Sequence, residues 1–262
     1  MINGKRIVLV MPAYNAARTV AKTYAEIPAL VDEVLLVDDA SRDDTVVAAQ
    51  ALGIRTIRHT QNRGYGGNQK TCYDTALSLG ADIVIMLHPD YQYTPLLVEA
   101  MVSPIAWGVF DCMLGSRILS NGALLGGMPF YKYISNRVLT LLQNLMVGHK
   151  LSEYHTGYRA YSRQVLEAIP YSCNSDNFIF DNQILSQVIY SGFRVGELTC
   201  PTRYADDSSS ISFRNSVRYG LGVLGTSLAF ALHRAELRKS PLFAPLDSLR
   251  QANAWPGKGP AA

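Results

Sequence analysis

Over the first half of the chain, short apolar runs alternate with stretches of helical periodicity. Residues 7–11 (IVLVM) read as a first strand that Pro12 should stop, and a helix is expected over 18–27. A second strand at 33–37 leads to a helix over 45–52, with Ser41 and Asp43 as candidate caps, and a third strand lies at 54–58. A glycine-rich stretch over 62–67 opens a helix over 68–79. The fourth strand, 82–87 (DIVIML), is nearly all apolar, as expected for a strand covered on both faces. A helix over 95–102 and a strand at 111–114 follow.

The second half is less regular. Helices are expected over 128–147, 165–169 and 178–190, with strands at GYRAYS and over 194–198. A last helix is read over 214–239, where Val217, Leu221, Leu224, Leu228 and Leu232 recur at spacings of three and four, against the helix-weakening Gly220, Gly222 and Gly225. The alternation of strand and helix predicts an α/β fold, a mostly parallel sheet flanked by helices. The expected organisation is one α/β domain over 1–213, a helical C-terminal extension over 214–240 and a Pro/Gly-rich disordered tail over 241–262.

Composition narrows the class. Of 262 residues, 48% are hydrophobic and 17% charged, which supports a real core and excludes disorder as the dominant state. A net charge of +3 is too weak to argue for nucleic acid. The four cysteines form no CxxC pair, so a reducing compartment fits better than a disulfide or zinc scaffold. The apolar run RIVLVM is too short for a signal-peptide core, and no stretch reaches the roughly 18 apolar residues of a spanning helix. A cytoplasmic location, with or without peripheral contact with the membrane, is the expectation.

In a parallel α/β sheet, ligands sit at the carboxyl ends of the strands, and there the polar clusters fall: PAYN, DDAS, NRGYGGN and HPDYQY. Asp90 and Gln92 offer oxygen ligands to a hard divalent cation shared with a diphosphate; the alternative is a turn in which Asp90 serves its own backbone. Of Asp38 and Asp39, one can accept from a ribose or base while the other caps a helix, or both can cap. The NRGYGGN loop offers backbone N–H groups to phosphate, or only turns the chain. Arg117 can pair with phosphate or with a surface carboxylate. Lys132 and Arg137 lie on a helix face open to solvent. Asp181, beside Phe178, Ile179 and Phe180, is either a general base or a carboxylate meeting the helix dipole. His59, His149 and His233 read as structural or surface residues.

In combination, MPAYN (11–15), VDDASRDDT (37–45), NRGYGG (62–67), HPDYQYTP (88–95), GSR (115–117), EYHTGYRAYSRQVL (153–166), FDNQIL (180–185) and GFRVGELTCPTRY (192–204) resemble the family 2 glycosyltransferases of GT-A fold, and among them the polyprenyl-phosphate sugar transferases such as dolichyl-phosphate mannose synthases. The resemblance runs over about 5–215. It implies inverting transfer of a sugar from a nucleotide-sugar donor, with Pro12, Tyr14, Asn15, Asp38, Asp39, Asn62, Gly64 and Gly67 around the donor. It also implies Arg117 and Lys132 against phosphate charge, a divalent metal (Mg or Mn) on Asp90 with Gln92, and Asp181 as the base if one is needed. His88 stands where the family commonly has the first acid of D-x-D, which makes it a candidate metal ligand that suits manganese better than magnesium. Gln183 replaces an acid often found in F-D-x-E, and Glu153 an aspartate.

A phosphate acceptor arrives ionised and needs no base, whereas a sugar hydroxyl does, so Gln183 tilts the reading toward a polyprenyl phosphate over a glycan acceptor. The apolar stripe of the last helix, flanked by Arg214, Arg218, Arg234, Arg238 and Lys239, either lies on an anionic membrane or packs onto the catalytic domain or a second copy in an oligomer. A catalytically inactive nucleotide-sugar-binding protein is the rival reading, motivated by His88 and Gln183. A sugar-phosphate nucleotidyltransferase or a nicotinamide dehydrogenase is disfavoured, because MPAYN has none of the glycines those activities place after the first strand.

Overall fold

The computed structural model describes residues 1–120, 122–202 and 213–243. The expected tail beyond 243 lies outside these residues. In chain order the elements are β1 (Ile7–Ala13), α1 (Val20–Ala25), β2 (Glu33–Asp38), α2 (Thr45–Ala51), β3 (Arg55–Arg58), α3 (Tyr65–Ser78) and β4 (Ile83–Met86). There follow a 3-10 turn at Pro95–Leu97, α4 (Val98–Ala106), β5 (Cys112–Ser116), α5 (Gly122–Leu125) and α6 (Phe130–Val147). The chain continues through β6 (Arg159–Ser162), α7 (Arg163–Ala168), a 3-10 turn at Tyr171–Cys173, α8 (Phe180–Tyr190), β7 (Val195–Thr199) and α9 (Phe213–Arg234).

The strands form one sheet in the order β3-β2-β1-β4-β6-β5-β7. All neighbours are parallel except β6, which runs against both β4 and β5. The expected mostly parallel α/β sheet is thus present. Every residue of β1 and β4 is buried, because helices cover both faces of the sheet centre. Each aliphatic side chain so placed contributes about 1.5–3 kcal/mol relative to exposure.

Pro12 does not stop β1. The strand runs on to Ala13, with Pro12 opposite Val37 of β2. The ladder to β4 ends at Val10, whose carbonyl accepts from Leu87 N at 3.0 Å. Polar groups of alternate residues in a strand face the same neighbour, so the N–H that Pro12 lacks would point where no ladder continues.

The last helix ends at Arg234 rather than 239. Its inward face is Val223, Thr226, Ser227 and Phe230, while Val217, Leu221 and Leu228 of the expected apolar stripe are exposed. One glycine of the covered side is closely approached: a Cβ on Gly222 would lie 3.2 Å from Ile179, whereas one on Gly220 would make ordinary contact with Leu139 of α6 at 3.7 Å. Small residues let α9 settle closely on α6 and the start of α8, and the leucines are left outside. Among the described residues no helix is long and apolar enough to cross a membrane.

Candidate active site

The loops after β1, β2 and β4, the start of α3 and the segment before β6 surround a cleft of about 1210 Å³, closed on the outer side by α6 and α9. Of the residues marked in the sequence, Pro12, Tyr14, Asn15, Asp39, Asn62, Gly64, His88, Asp90, Gln92, Arg117, Lys132 and Asp181 all line it. Asp38 and Gly67 do not.

Asp38 is fully buried: Oδ2 accepts Ser41 N at 3.1 Å and lies 3.7 Å from Arg58 Nε. It shapes the turn behind the cleft and does not face a donor. Asp39 organises the wall itself. Its Oδ1 accepts Arg63 N at 2.8 Å and the His59 Nδ1–H at 2.8 Å, and its Oδ2 accepts Gly64 N at 3.0 Å. His59 is therefore structural, as expected.

The phosphate-cradle reading of NRGYGGN is corrected by this geometry. The Arg63 and Gly64 N–H groups are spent on Asp39, and Gly66 N donates to Asp176 O at 2.8 Å. The glycines serve close packing instead: a Cβ on Gly64, which has φ +84°, would meet Asp176 O at 2.6 Å. A Cβ on Gly67 would meet Arg63 Cβ at 3.1 Å, in the helix start away from the cleft. The helix accordingly begins at Tyr65, three residues before the expected position.

After β4 the chain turns sharply, with Tyr91 at φ +57°. Asp90 Oδ1 accepts Gln92 N at 3.0 Å, so the local turn is formed, and both side chains still line the cleft. Tyr91 points to the other side, its hydroxyl on Glu26 and its ring 3.9 Å from Lys22 Nζ. His88 stacks on Tyr65 with ring centroids 5.5 Å apart, and its Nε2 lies 3.0 Å from the Tyr65 hydroxyl. That hydroxyl donates to Asp181 Oδ2 at 2.6 Å, and Gln69 Nε2 donates to Asp181 Oδ1 at 3.0 Å. Burial and the adjacent Asp181 carboxylate hold the Tyr65 phenol well above its ordinary pKa. At the same Nε2 edge the His88 ring is flanked by Gly157, where a Cβ would come within 2.9 Å of Nε2 and 3.5 Å of the Tyr65 hydroxyl.

Among the described residues no three His, Cys, Asp or Glu side chains converge as a ready metal cage. At the turn after β4 the cleft is lined by a carboxylate (Asp90), an amide (Gln92) and an imidazole (His88), apart from the Asp39, Asp43, Asp181 and His155 side chains elsewhere on its walls. This incomplete donor set fits a cation that takes its remaining oxygens from a diphosphate and water.

Arg117 is held by the fully buried Glu153, with its N donating to Oε1 at 2.5 Å and its Nη2 to Oε2 at 2.8 Å. Asn136 Nδ2 donates to the same Oε2 at 3.1 Å. Burial pushes the Glu153 carboxyl up, but the Arg117 charge and these hydrogen bonds outweigh it, and the net shift is below the ordinary carboxylate range. Beside them, His155 lines the cleft with Nδ1 2.9 Å from the Tyr219 hydroxyl, and its buried Nε2 has no partner among the described residues. Burial pulls its pKa down to about 4. Lys132 faces the cleft from the first turn of α6, whereas Arg137 turns to Ser152 O at 3.1 Å.

Sequence reasoning missed Arg159 and Tyr65. Arg159 is fully buried; it donates to Thr156 O at 2.8 Å, Tyr154 O at 2.9 Å and the Asp181 carbonyl, clamping the 154–156 segment to the first turn of α8. The signal available was an arginine set among aromatic residues in GYRAY, a pattern that suits a buried cation. Gln183, which the sequence reading weighed as a lost acid, does not line the cleft; its Oε1 accepts Ser175 N at 2.8 Å. Its inference about the acceptor therefore has no basis in the site.

Comparison with known proteins agrees with this construction. The chain is 30% identical over 210 residues to an uncharacterized protein of Methanocaldococcus jannaschii, covering 80% of this chain and 86% of that one. It is 26% identical over 222 residues to a UDP-N-acetylglucosamine–dolichyl-phosphate N-acetylglucosaminyltransferase of Methanococcus voltae (78% and 88% covered). The fold matches that of the glucosyl-3-phosphoglycerate synthase of Mycobacterium tuberculosis, solved with Mg2+ and UDP, at a TM-score of 0.67 and 21% identity, over 90% of this chain and 82% of that one. The same synthase has also been solved with Mn2+, UDP-glucose and phosphoglyceric acid. The Glycosyl transferase family 2 model matches residues 8–169, and with the sheet order and the cleft described above the chain belongs to the family 2 glycosyltransferases, with a GT-A fold.

Proposed function

We propose that the protein transfers a sugar, with inversion at the anomeric carbon, from a nucleotide-sugar donor to a polyprenyl phosphate held at a membrane surface. The observation that carries this reading is the two-sided character of the cleft. Its inner wall is polar, and its outer wall, formed by Tyr131, Ile134, Val138 and Val217, belongs to an apolar face that continues outward along α6 and α9. On that face Leu141 is 60% exposed, Leu145 71% and Leu221 66%. Exposed apolar side chains on two packed helices, with the exposed Arg137 and Arg218 on the same helices, suit anionic lipid better than water. The Methanococcus voltae relative is named for a dolichyl-phosphate acceptor, which supports the same acceptor class.

Pro12, Tyr14 and Asn15 on one side and Asn62 and Gly64 on the other form the donor end of the cleft, with Asp39 fixing the second side. Asp90, Gln92 and His88 would hold a divalent cation there, whose chemistry is Lewis-acid stabilisation of the departing diphosphate. Arg117 and Lys132 meet acceptor phosphate charge. An ionised phosphate oxygen attacks the anomeric carbon as the bond to the diphosphate breaks, and no proton has to be removed. Asp181, with both oxygens accepting hydrogen bonds, then acts by holding Tyr65 and Gln69 in place; a hydroxyl acceptor would instead require it as the base.

The test is transfer from UDP-, GDP- and dTDP-sugars to undecaprenyl phosphate in vesicles, with Mn2+ or Mg2+, read by mass spectrometry of the lipid. A glycosylated lipid phosphate is expected, with inverted anomeric configuration in its 1H NMR spectrum. Transfer only to water-soluble phosphorylated or hydroxyl acceptors, or donor binding without turnover, overturns the reading.

A further inference from the structure

The contact between His88, Tyr65 and Asp181 fixes where protons sit. A phenol carries one proton, and the Tyr65 hydroxyl directs it to Asp181 Oδ2 at 2.6 Å, since an ionised carboxylate can only accept. The same hydroxyl lies 3.0 Å from His88 Nε2 and can therefore only accept there, which places the imidazole proton on Nε2. Gln69 Nε2 on Asp181 Oδ1 completes the acceptor's environment, and the Tyr73 hydroxyl on Gln69 Oε1 at 2.9 Å sets the orientation of that amide. Stacking on Tyr65 and the close approach of Gly157 hold the ring in plane. Among the described residues no group bonds His88 Nδ1, so the ring's lone pair is on the nitrogen that the protein leaves unengaged.

Resting on the metal-assisted transfer proposed above, we propose that Tyr65 is a positioning residue that locks His88 as the Nε2–H tautomer. The lock offers Nδ1 to the cation and gives the site a preference for Mn2+ over Mg2+. An imidazole nitrogen in the donor set favours a transition-metal ion over magnesium, which prefers oxygen throughout. Partners of a ligating histidine on its other nitrogen fix the tautomer and typically account for 10–100-fold in metal affinity.

Two measurements on the full chain test this. Histidine 15N NMR of the wild type reads the tautomer directly and needs no variant; a proton on Nδ1 of His88 overturns the inference. Mn2+ titration followed by EPR, with Mg2+ as competitor and whichever of UDP, GDP and dTDP raises Tm, reads the preference. Tyr65→Phe is expected to weaken Mn2+ binding by roughly 10–100-fold while leaving Mg2+ unchanged. His88→Asp, which replaces nitrogen with oxygen, should bring the two ions close together. Equal Mn2+ affinity in wild type and Tyr65→Phe overturns the inference alone. A wild type that binds no Mn2+ in the presence of the nucleotide overturns the cation reading of the cleft, and the inference with it.

Discussion

The two walls of the cleft are built on opposite terms. The inner wall, at the ends of β1, β2 and β4, spends its polar groups on itself: Asp39 alone gathers the N–H groups of Arg63 and Gly64 and the ring of His59. The outer wall, α6 and α9, buries small and polar residues between the helices and leaves leucines outside. The first wall is held in shape by its own hydrogen bonds, which is what preorganised binding of a polar donor requires. The second leaves Leu141, Leu145 and Leu221 open, as the proposed docking at a membrane surface requires. Chemistry at Asp90 and docking at α6/α9 should therefore be separable by mutation.

The largest separation should come from Asp90→Asn. Removing the one carboxylate of the cation's donor set is expected to cost several kcal/mol of transition-state stabilisation, roughly a thousandfold in kcat. Tm and vesicle binding should stay unchanged; full activity in this variant would break the comparison at its inner wall. Asp39→Asn should act on the same wall through stability, lowering unfolding free energy by roughly 2–3 kcal/mol in a urea titration, because a charged acceptor of backbone donors is lost. On the outer wall, the double change Leu141→Glu with Leu221→Glu should leave stability within about 0.5 kcal/mol, since neither side chain is packed. It should abolish co-sedimentation with anionic vesicles and transfer to lipid-borne acceptor. Unaltered vesicle transfer would show that this face serves another purpose.

The smallest effects are pH-dependent. His155 titrates near 4 in the fold and near 6.5 when unfolded, so the unfolded chain binds the extra proton between these values. Its contribution to stability is full above pH 6.5 and is lost as pH falls toward 4. Against the effect of burial, the Arg117 charge and its hydrogen bonds hold Glu153 below the ordinary carboxylate range, so its contribution is full above the unfolded-state value and is lost at still lower pH, through the folded value. Thermal melts across this range should show His155→Gln flattening the upper part of the acid limb and Glu153→Gln the lower part.

What was legible in the sequence follows the same division. Strands β1, β2 and β4 could be read because burial on both faces turns them into uninterrupted apolar runs, and the loops after them could be read because polar clusters at strand ends have few other uses. Most of the inner wall followed. The glycines of NRGYGG could not be assigned, because phosphate contact and close packing make the same demand on sequence. The packing partner, Asp176, lies more than a hundred residues away. The apolar stripe of α9 was visible, but its direction was not: periodicity finds a face, and the small residues opposite decided which face is covered. Tyr65 was invisible as a functional group because its meaning depends on His88 and Asp181 meeting over it.

The glycine at 157 places a constraint on how this cleft can be rebuilt. With the imidazole in place, any side chain at 157 would press into the ring, so Gly157→Ala alone should be penalised. Once position 88 carries the shorter aspartate, that obstruction is gone. The two positions form an ordered pair: 88 must shrink before 157 can grow, and a library that varies them independently should return only the combinations that respect that order.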